Sequence, residues 1–112
     1  IMIAGALSGV CEALAYAKAE GLDRSTLVNA LSSGAAGSKQ LDFQGHKILD
    51  GDFAPGFFMK HFIKDMRLAE EEANHSGLDL NVLRQTLENC RALEQQGCGD
   101  LGTQALIKFY EK

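Results

Sequence analysis

Apolar side chains along this chain recur at spacings of three and four, and no stretch alternates at a period of two, so the pattern predicts helices and no strand. From residue 1 to about 20, Ile3, Leu7, Val10 and Leu14 form one stripe, while Ala4, Ala6, Ala13, Ala15, Ala17 and Ala19 keep helix propensity high. Nearly every face is small or apolar, which predicts the central and most buried helix of the domain. Glu12 within it would need a partner. Gly5 and Gly9 lie on one face and each costs up to ~1 kcal/mol against alanine, which predicts close approach of another helix or a ligand. Gly21 is placed to end the helix as its C′ residue.

Asp23 is a good N-cap for a short second helix with Leu27, Val28 and Leu31 inward. The break Ser32-Ser33-Gly34-Ala35-Ala36-Gly37-Ser38 lacks G-x-x-x-x-G-K-[ST] and a preceding strand, so it reads as a helix connection rather than a phosphate cradle. Ser38 then caps a third helix to about Leu49, with Leu41, Ile48 and Leu49 apolar. Turn signals at Asp50-Gly51-Asp52 and Pro55-Gly56 bracket Phe53. Phe58, Phe62, Met66, Ala69 and Ala73 mark the buried side of a fourth helix ending near Gly77. Asp79 or Asn81 caps the next, where Val82, Leu83, Leu87, Cys90 and Leu93 face inward until Gly97. After the turn Gly97 to Gly102, Thr103 to Lys112 reads as a final helix packed through Ala105, Leu106, Phe109 and Tyr110. About five or six helices joined by short turns make an all-α domain.

Composition narrows the class. At 112 residues the chain is one domain's worth, and 46% hydrophobic with 23% charged residues is globular rather than disordered. A net charge of -4 argues against a broad nucleic-acid-binding surface. The three cysteines, Cys11, Cys90 and Cys98, form no C-x-x-C pair, which points to reduced thiols in a cytoplasmic protein and to neither a disulfide framework nor a zinc site. Ile1 to Val10 is uncharged, yet no basic segment precedes it and Glu12 interrupts it before the ~20 residues a membrane span requires. It reads as a buried helix whose beginning lies before Ile1, in a piece of a larger protein.

Charge order singles out one segment. Lys60, His61, Lys64 and Arg67 make a basic stripe on the first turns of the fourth helix, and Glu70-Glu71-Glu72 follow. The helix dipole favours the reverse order, so the stripe suggests an anion site for a phosphate or small carboxylate, a solvated charged face being the plainer alternative. Phe57 and Phe58 would give a flat apolar wall for a ring, with core packing expected of at least one. No nucleophile elbow accompanies the serines and histidines. Carboxylates such as Asp50 with Asp52 sit in turns, where solvation explains them. His46 has no ligand-spaced partner, and His61 and His75 are too far apart in sequence for a local pair, so no metal site is expected.

Glu12-Ala13-Leu14-Ala15-Tyr16-Ala17, Gly21-Leu22-Asp23, Ser33-Gly34-Ala35-Ala36-Gly37-Ser38, Phe53-Ala54-Pro55-Gly56-Phe57 and His61-Phe62-Ile63-Lys64-Asp65-Met66 resemble, in order, the C-terminal domain of the β-hydroxyacid dehydrogenases. This is the family of 3-hydroxyisobutyrate dehydrogenase and tartronate semialdehyde reductase. The resemblance spans essentially the whole chain and implies the all-α fold of the 6-phosphogluconate dehydrogenase C-terminal domain. It implies that residues 1–112 close the active-site cleft and carry a homodimer interface, beside an N-terminal Rossmann domain for NAD or NADP that is absent from this chain. The implied activity is hydride transfer between a small 3-hydroxy acid and its semialdehyde, with neither nucleic acid nor membrane as partner. The family's general acid-base lysine, in a K-x-x-N-[NQ] motif, would fall just upstream of Ile1, so no catalytic residue is expected here and the fragment alone would be inactive. The lysine of K-D-[LM] matches Lys64-Asp65-Met66, which implies that Lys64 reaches the cofactor; Phe57, in the G-F position, would line the nicotinamide side. Asp65 would position its helix or neighbours. One departure stands out: where the family has G-x-x-D-x-[SA]-A, this chain has Gly99-Asp100-Leu101-Gly102-Thr103-Gln104-Ala105, with Gly102 in the aspartate's place. The alternative to an enzyme is a non-enzymatic helical dimerisation or scaffold domain.

Overall fold

A computed structural model describes residues 1–111. The chain runs α1 (Met2–Ala19), α2 (Arg24–Ser32), a π-helical turn (Leu41–Gly45) leading into α3 (His46–Leu49), α4 (Met59–His75), α5 (Asn81–Leu93) continued by a second π-helical turn (Glu94–Cys98), a 3-10 turn (Thr103–Leu106) and α6 (Ile107–Tyr110). The all-α expectation holds: among the described residues the sole β pairing is an isolated antiparallel bridge between Phe58 and Gly102. The expected final helix is shorter and tighter than its pattern suggests, a 3-10 turn followed by one α turn; Lys112 lies outside the described residues.

The caps explain where several helices begin and end. Asp23 accepts from the Ser25 and Thr26 N–H groups at 3.1 and 3.4 Å, and Ser38 Oγ accepts from Leu41 N–H at 3.0 Å. Gly21 and Gly77 take φ of +69° and +73°, a region that costs side-chain-bearing residues dearly, and so close α1 and α4 as expected. The expected cap of α5 is not formed. Its N-cap position is Leu80, without a side-chain bond, because Asp79 and Asn81 both turn to the Arg84 guanidinium instead.

One core joins the elements. Leu7 and Leu14 of α1, Val28 of α2, Met59 and Met66 of α4, Leu87 and Leu93 of α5, and Leu106 are buried together. Helix α4 packs along α5, and α1 packs on α5, α6 and the first π-helical turn. Helix α1 is central, but it is not buried on every face. The face of Gly5, Gly9, Glu12, Ala13 and Tyr16 is exposed while Ala4, Leu7, Cys11 and Leu14 are buried, and Ile3, at the N-terminal end of the buried stripe, is 46% exposed. Glu12 stands on the exposed side and needs no buried partner. Gly5 and Gly9 have open space where a Cβ would be, so no helix among the described residues approaches them closely. Val82 is likewise exposed at 61%, one position outside the inward stripe of α5.

Candidate functional site

Three chain segments meet beside the N-terminal end of α1. The loop between α3 and α4 contributes Phe57, α4 contributes Phe62, Asp65 and Met66, and the 3-10 turn contributes Thr103. With Ile1, Ile3, Gln40 and Gln44 they enclose a cavity of about 290 Å³. A larger groove, about 500 Å³, runs between α1 and α5 past Gly9, Glu12, Arg84 and Asn89. It shares no lining residue with the first and holds none of the segments singled out by charge order, so the smaller cavity is the better candidate.

The junction of loop and turn is built by a zipper of backbone bonds. Met59 N–H donates to Leu101 O at 2.8 Å, Lys60 N–H to Gly99 O at 3.0 Å, Gly102 N–H to Phe53 O at 2.9 Å and Thr103 N–H to Phe57 O at 3.0 Å. Phe57 is thereby fixed with its ring 38% exposed, tilted against the His61 ring at 6.4 Å and edge-on to Phe62 at 6.3 Å. Phe58 is the half-buried N-cap residue of α4 and carries the bridge to Gly102, so of the two phenylalanines it is Phe57 that faces the cavity.

The zipper also closes the anion site expected at the start of α4. The N–H groups of Met59 to Phe62 all have carbonyl partners, and a helix start without free N–H donors has little left to offer an anion. Lys60 Nζ is paired with Asp100 at 2.7 Å and lies 5.3 Å from the centre of the Phe58 ring. The lysine holds the Asp100 carboxyl below the usual carboxylate range. Arg67 pairs with Glu71 at 3.4 Å, one turn on. Of the basic stripe this leaves Lys64, exposed and with neither ion pair nor hydrogen bond among the described residues. Lys64 neighbours Asp65 in sequence but is not itself part of the cavity wall. The structure thus brings Phe57 and Asp65 together and leaves Lys64 beside them.

Gln40, Gln44 and Thr103 were not among the residues expected at a site. Gln40 and Gln44 sit one helical turn apart at the first π-helical turn, and both bury an Oε1 without a hydrogen-bond partner in the protein. Their spacing placed them on one helix face but said nothing of which face. Helix interruptions of this π type recur at functional sites. His46 is exposed. No group of three His, Cys, Asp or Glu side chains among the described residues is arranged to hold a metal ion. Nor is any helix of the described residues long and apolar enough to cross a membrane.

Comparison with known proteins agrees with the sequence resemblance. Residues 1–110 match the family described as NAD-binding of NADP-dependent 3-hydroxyisobutyrate dehydrogenase. The chain is 43% identical over 112 residues to probable 3-hydroxyisobutyrate dehydrogenase-like 1, mitochondrial, of Arabidopsis thaliana, which covers 100% of this chain and 34% of that protein. It is 40% identical, over 100% of its own length and 39% of the other's, to an uncharacterized oxidoreductase of Bacillus subtilis (strain 168). A crystal structure of 3-hydroxyisobutyrate dehydrogenase from Salmonella typhimurium superposes with a TM-score of 0.88 at 23% identity, over 95% of this chain and 38% of that one, a likeness of fold. The chain therefore spans between a third and two fifths of the length of these relatives.

Proposed function

The chain belongs to the NAD(P)-binding family of 3-hydroxyisobutyrate dehydrogenases, and on that premise we propose that it is the helical, cleft-closing part of an oxidoreductase that interconverts a small 3-hydroxy acid, 3-hydroxyisobutyrate-like, and its semialdehyde. The cavity where Phe57, Asp65 and Thr103 meet carries this reading. It lies at the N-terminal end of α1, the side on which residues preceding Ile1 would enter. In this reading an N-terminal Rossmann domain and the proton-transferring lysine come from those preceding residues, and residues 1–112 alone turn over no substrate.

The residues present fit a nicotinamide dinucleotide in two respects. An aromatic ring held at the cavity wall suits a flat heterocycle, and Lys64, next in sequence to the wall residue Asp65 and without an ion pair among the described residues, suits an anionic or hydroxyl-rich ligand. Phe57 and Lys64 would hold it, and when bound the dinucleotide supplies or accepts the hydride. Phe57 and Phe62, edge-on to each other, give the wall an apolar face. Asp65, exposed on α4 and part of the cavity wall, would in this reading position neighbouring groups. The homodimer belongs to the same reading, supported by the apolar side chains Met2 and Val82 left uncovered on α1 and α5.

In the full-length protein, Lys64→Ala is expected to raise the dinucleotide KM or lower turnover by ~1–3 kcal/mol, the usual size of a lost charge-assisted contact. Wild-type KM and turnover in that variant reject the assignment of Lys64. Reduction of NAD or NADP by a panel of small 3-hydroxy acids tests the activity itself; a panel without any turnover would leave the helical scaffold as the better reading.

A further inference from the structure

Gln104 is fully buried, yet its side chain touches no other side chain through a hydrogen bond. Its Nε2 donates instead to two backbone carbonyls of the loop before Phe57, Asp52 O at 3.0 Å and Ala54 O at 2.9 Å. Two carbonyl acceptors fix the orientation of the amide, since only its NH2 end can serve both. The Oε1 that remains is buried and without a partner in the protein. A buried acceptor left open costs free energy, so the side chain is held here by what its other end does.

The carboxamide reaches this loop by passing through the space that a side chain on residue 102 would fill. A Cβ built on Gly102 would stand 2.7 Å from Gln104 Cδ and 2.8 Å from Nε2, and closer still to Oε1. These atoms belong to a flexible side chain, but one with no exposure and two hydrogen bonds to lose, so it cannot simply step aside. Residues 102 and 104 are therefore an either-or pair: glutamine at 104 requires glycine at 102. Sequence resemblance expects an aspartate at 102 and a small residue at 104; this chain has the small residue first and the long polar one second.

The loop needs the strut. Residues 50–57 form no regular structure, and Ala54 N–H is engaged only by the loop's own Asp52 side chain at 3.0 Å. Gln104 ties the Asp52 and Ala54 carbonyls of this loop to the core, beside the packing of Phe53 under Lys108, and the backbone bonds of Gly102 to Phe53 and Thr103 to Phe57 continue the attachment up to the cavity. We propose that Gln104 is a positioning residue that sets Phe57 and Thr103 for the dinucleotide, through the space that Gly102 leaves open. The assignment rests on the cofactor reading of the cavity given above.

The test uses the full-length protein with Gln104→Glu, Gln104→Ala, Gly102→Ala and the exchange Gly102→Asp with Gln104→Ala. An ionised glutamate keeps the shape but cannot donate to two carbonyls, so Gln104→Glu is expected to raise the dinucleotide KM about five- to tenfold at neutral pH. The increase should shrink as pH falls and grow as it rises, because a protonated carboxyl donates to one of the two carbonyls again, with kcat changing less than KM; a merely structural role would not give that pH-dependent split. Gly102→Ala should raise KM similarly, and the double exchange should recover part of the loss because the clash goes with the glutamine. Hydrogen exchange gives a readout free of any cofactor: the Ala54, Gly102 and Thr103 amides, which bond within or to this loop, should exchange faster in Gln104→Glu and Gln104→Ala than in the wild type. Unchanged exchange there, or faster exchange with unchanged KM, overturns the proposal. A wild-type protein that binds no dinucleotide, with faster exchange in the variants, overturns the cofactor reading and with it the positioning role, while the either-or pair itself stands.

Discussion

Burial decides the chemistry of the cysteines. The Cys90 thiol is pushed up from 9.0 to about 12, and Cys11 is driven higher still, in both cases chiefly by loss of solvent. Cys98 is half-exposed. A thiol-selective alkylating reagent on the folded protein at pH 8 should therefore label Cys98 and spare the other two; labelling of Cys90 at a comparable rate would contradict its packing. The same shift makes stability depend on pH. An unfolded Cys90 loses its proton near 9.0 while the folded one keeps it to about 12, so above pH 9 the unfolded state binds fewer protons and folding free energy falls as pH rises, by at most ~1.4 kcal/mol per unit. Urea unfolding between pH 8 and 10.5 should show a shallower decline for Cys90→Ala than for the wild type, whatever the offset from the cavity. The sequence supported reduced thiols from count and spacing. Which thiols are inert depends on packing that no spacing reveals. Lys60 makes the same point: its partner Asp100 is distant in sequence, so the pair that removes Lys60 from the basic stripe was invisible until the chain was folded.

At the scale of elements, local chemistry was read best where it is local. Asp23 accepts from two backbone N–H groups of α2 and from the Thr26 hydroxyl, and the Thr26 bond in particular holds its carboxyl below the ordinary range. Asp23→Ala is expected to cost ~0.5–2 kcal/mol, seen as a lower urea midpoint with an unchanged m-value. A variant as stable as the wild type would mean that α2 is held by Val28, Leu31 and the Arg24–Glu111 pair without its cap. Asp23→Asn, which keeps the acceptor, should recover most of the loss. The same local logic failed at α5, where Arg84 outcompetes the helix start for Asp79 and Asn81, a contest between side chains that a cap preference does not describe. The π-helical turns were illegible too. Gly45 of the first packs with no room to spare, since an added Cβ would meet Leu41 Cδ1 at 3.3 Å and Val28 at 3.6 Å. That close fit to α2, set by tertiary packing, is what aims Gln40 and Gln44 at the cavity.

On the scale of the molecule, the all-α architecture followed from periodicity because nearly every core position belongs to a stripe of threes and fours, and these stripes meet in one cluster. What periodicity could not give is the covered side of a helix that is apolar all round. The buried side of α1 carries Ala4, Leu7, Cys11 and Leu14, and Gly5 and Gly9 face open space on another. Two helix-interior glycines cost about 1 kcal/mol each, and no contact among the described residues repays it. Within the homodimer proposed above, these glycines let a second surface come close, and that yields an experiment whose sign is informative. If their face stays open in the assembled protein, Gly5→Ala and Gly9→Ala remove only the helix penalty and should raise the Tm by about 1–3 °C each. If a partner closes on it, alanine adds a methyl group where two backbones meet, and Gly9→Leu adds far more than the interface can absorb. A homodimer formed through this face requires the second result: sedimentation equilibrium of the full-length protein should give a dimer for the wild type and a shift to monomer for Gly9→Leu. The double alanine variant should lower the association constant rather than raise the melting temperature. A Gly9→Leu protein that remains dimeric would remove this face from the interface, and a monomeric wild type would remove the interface itself.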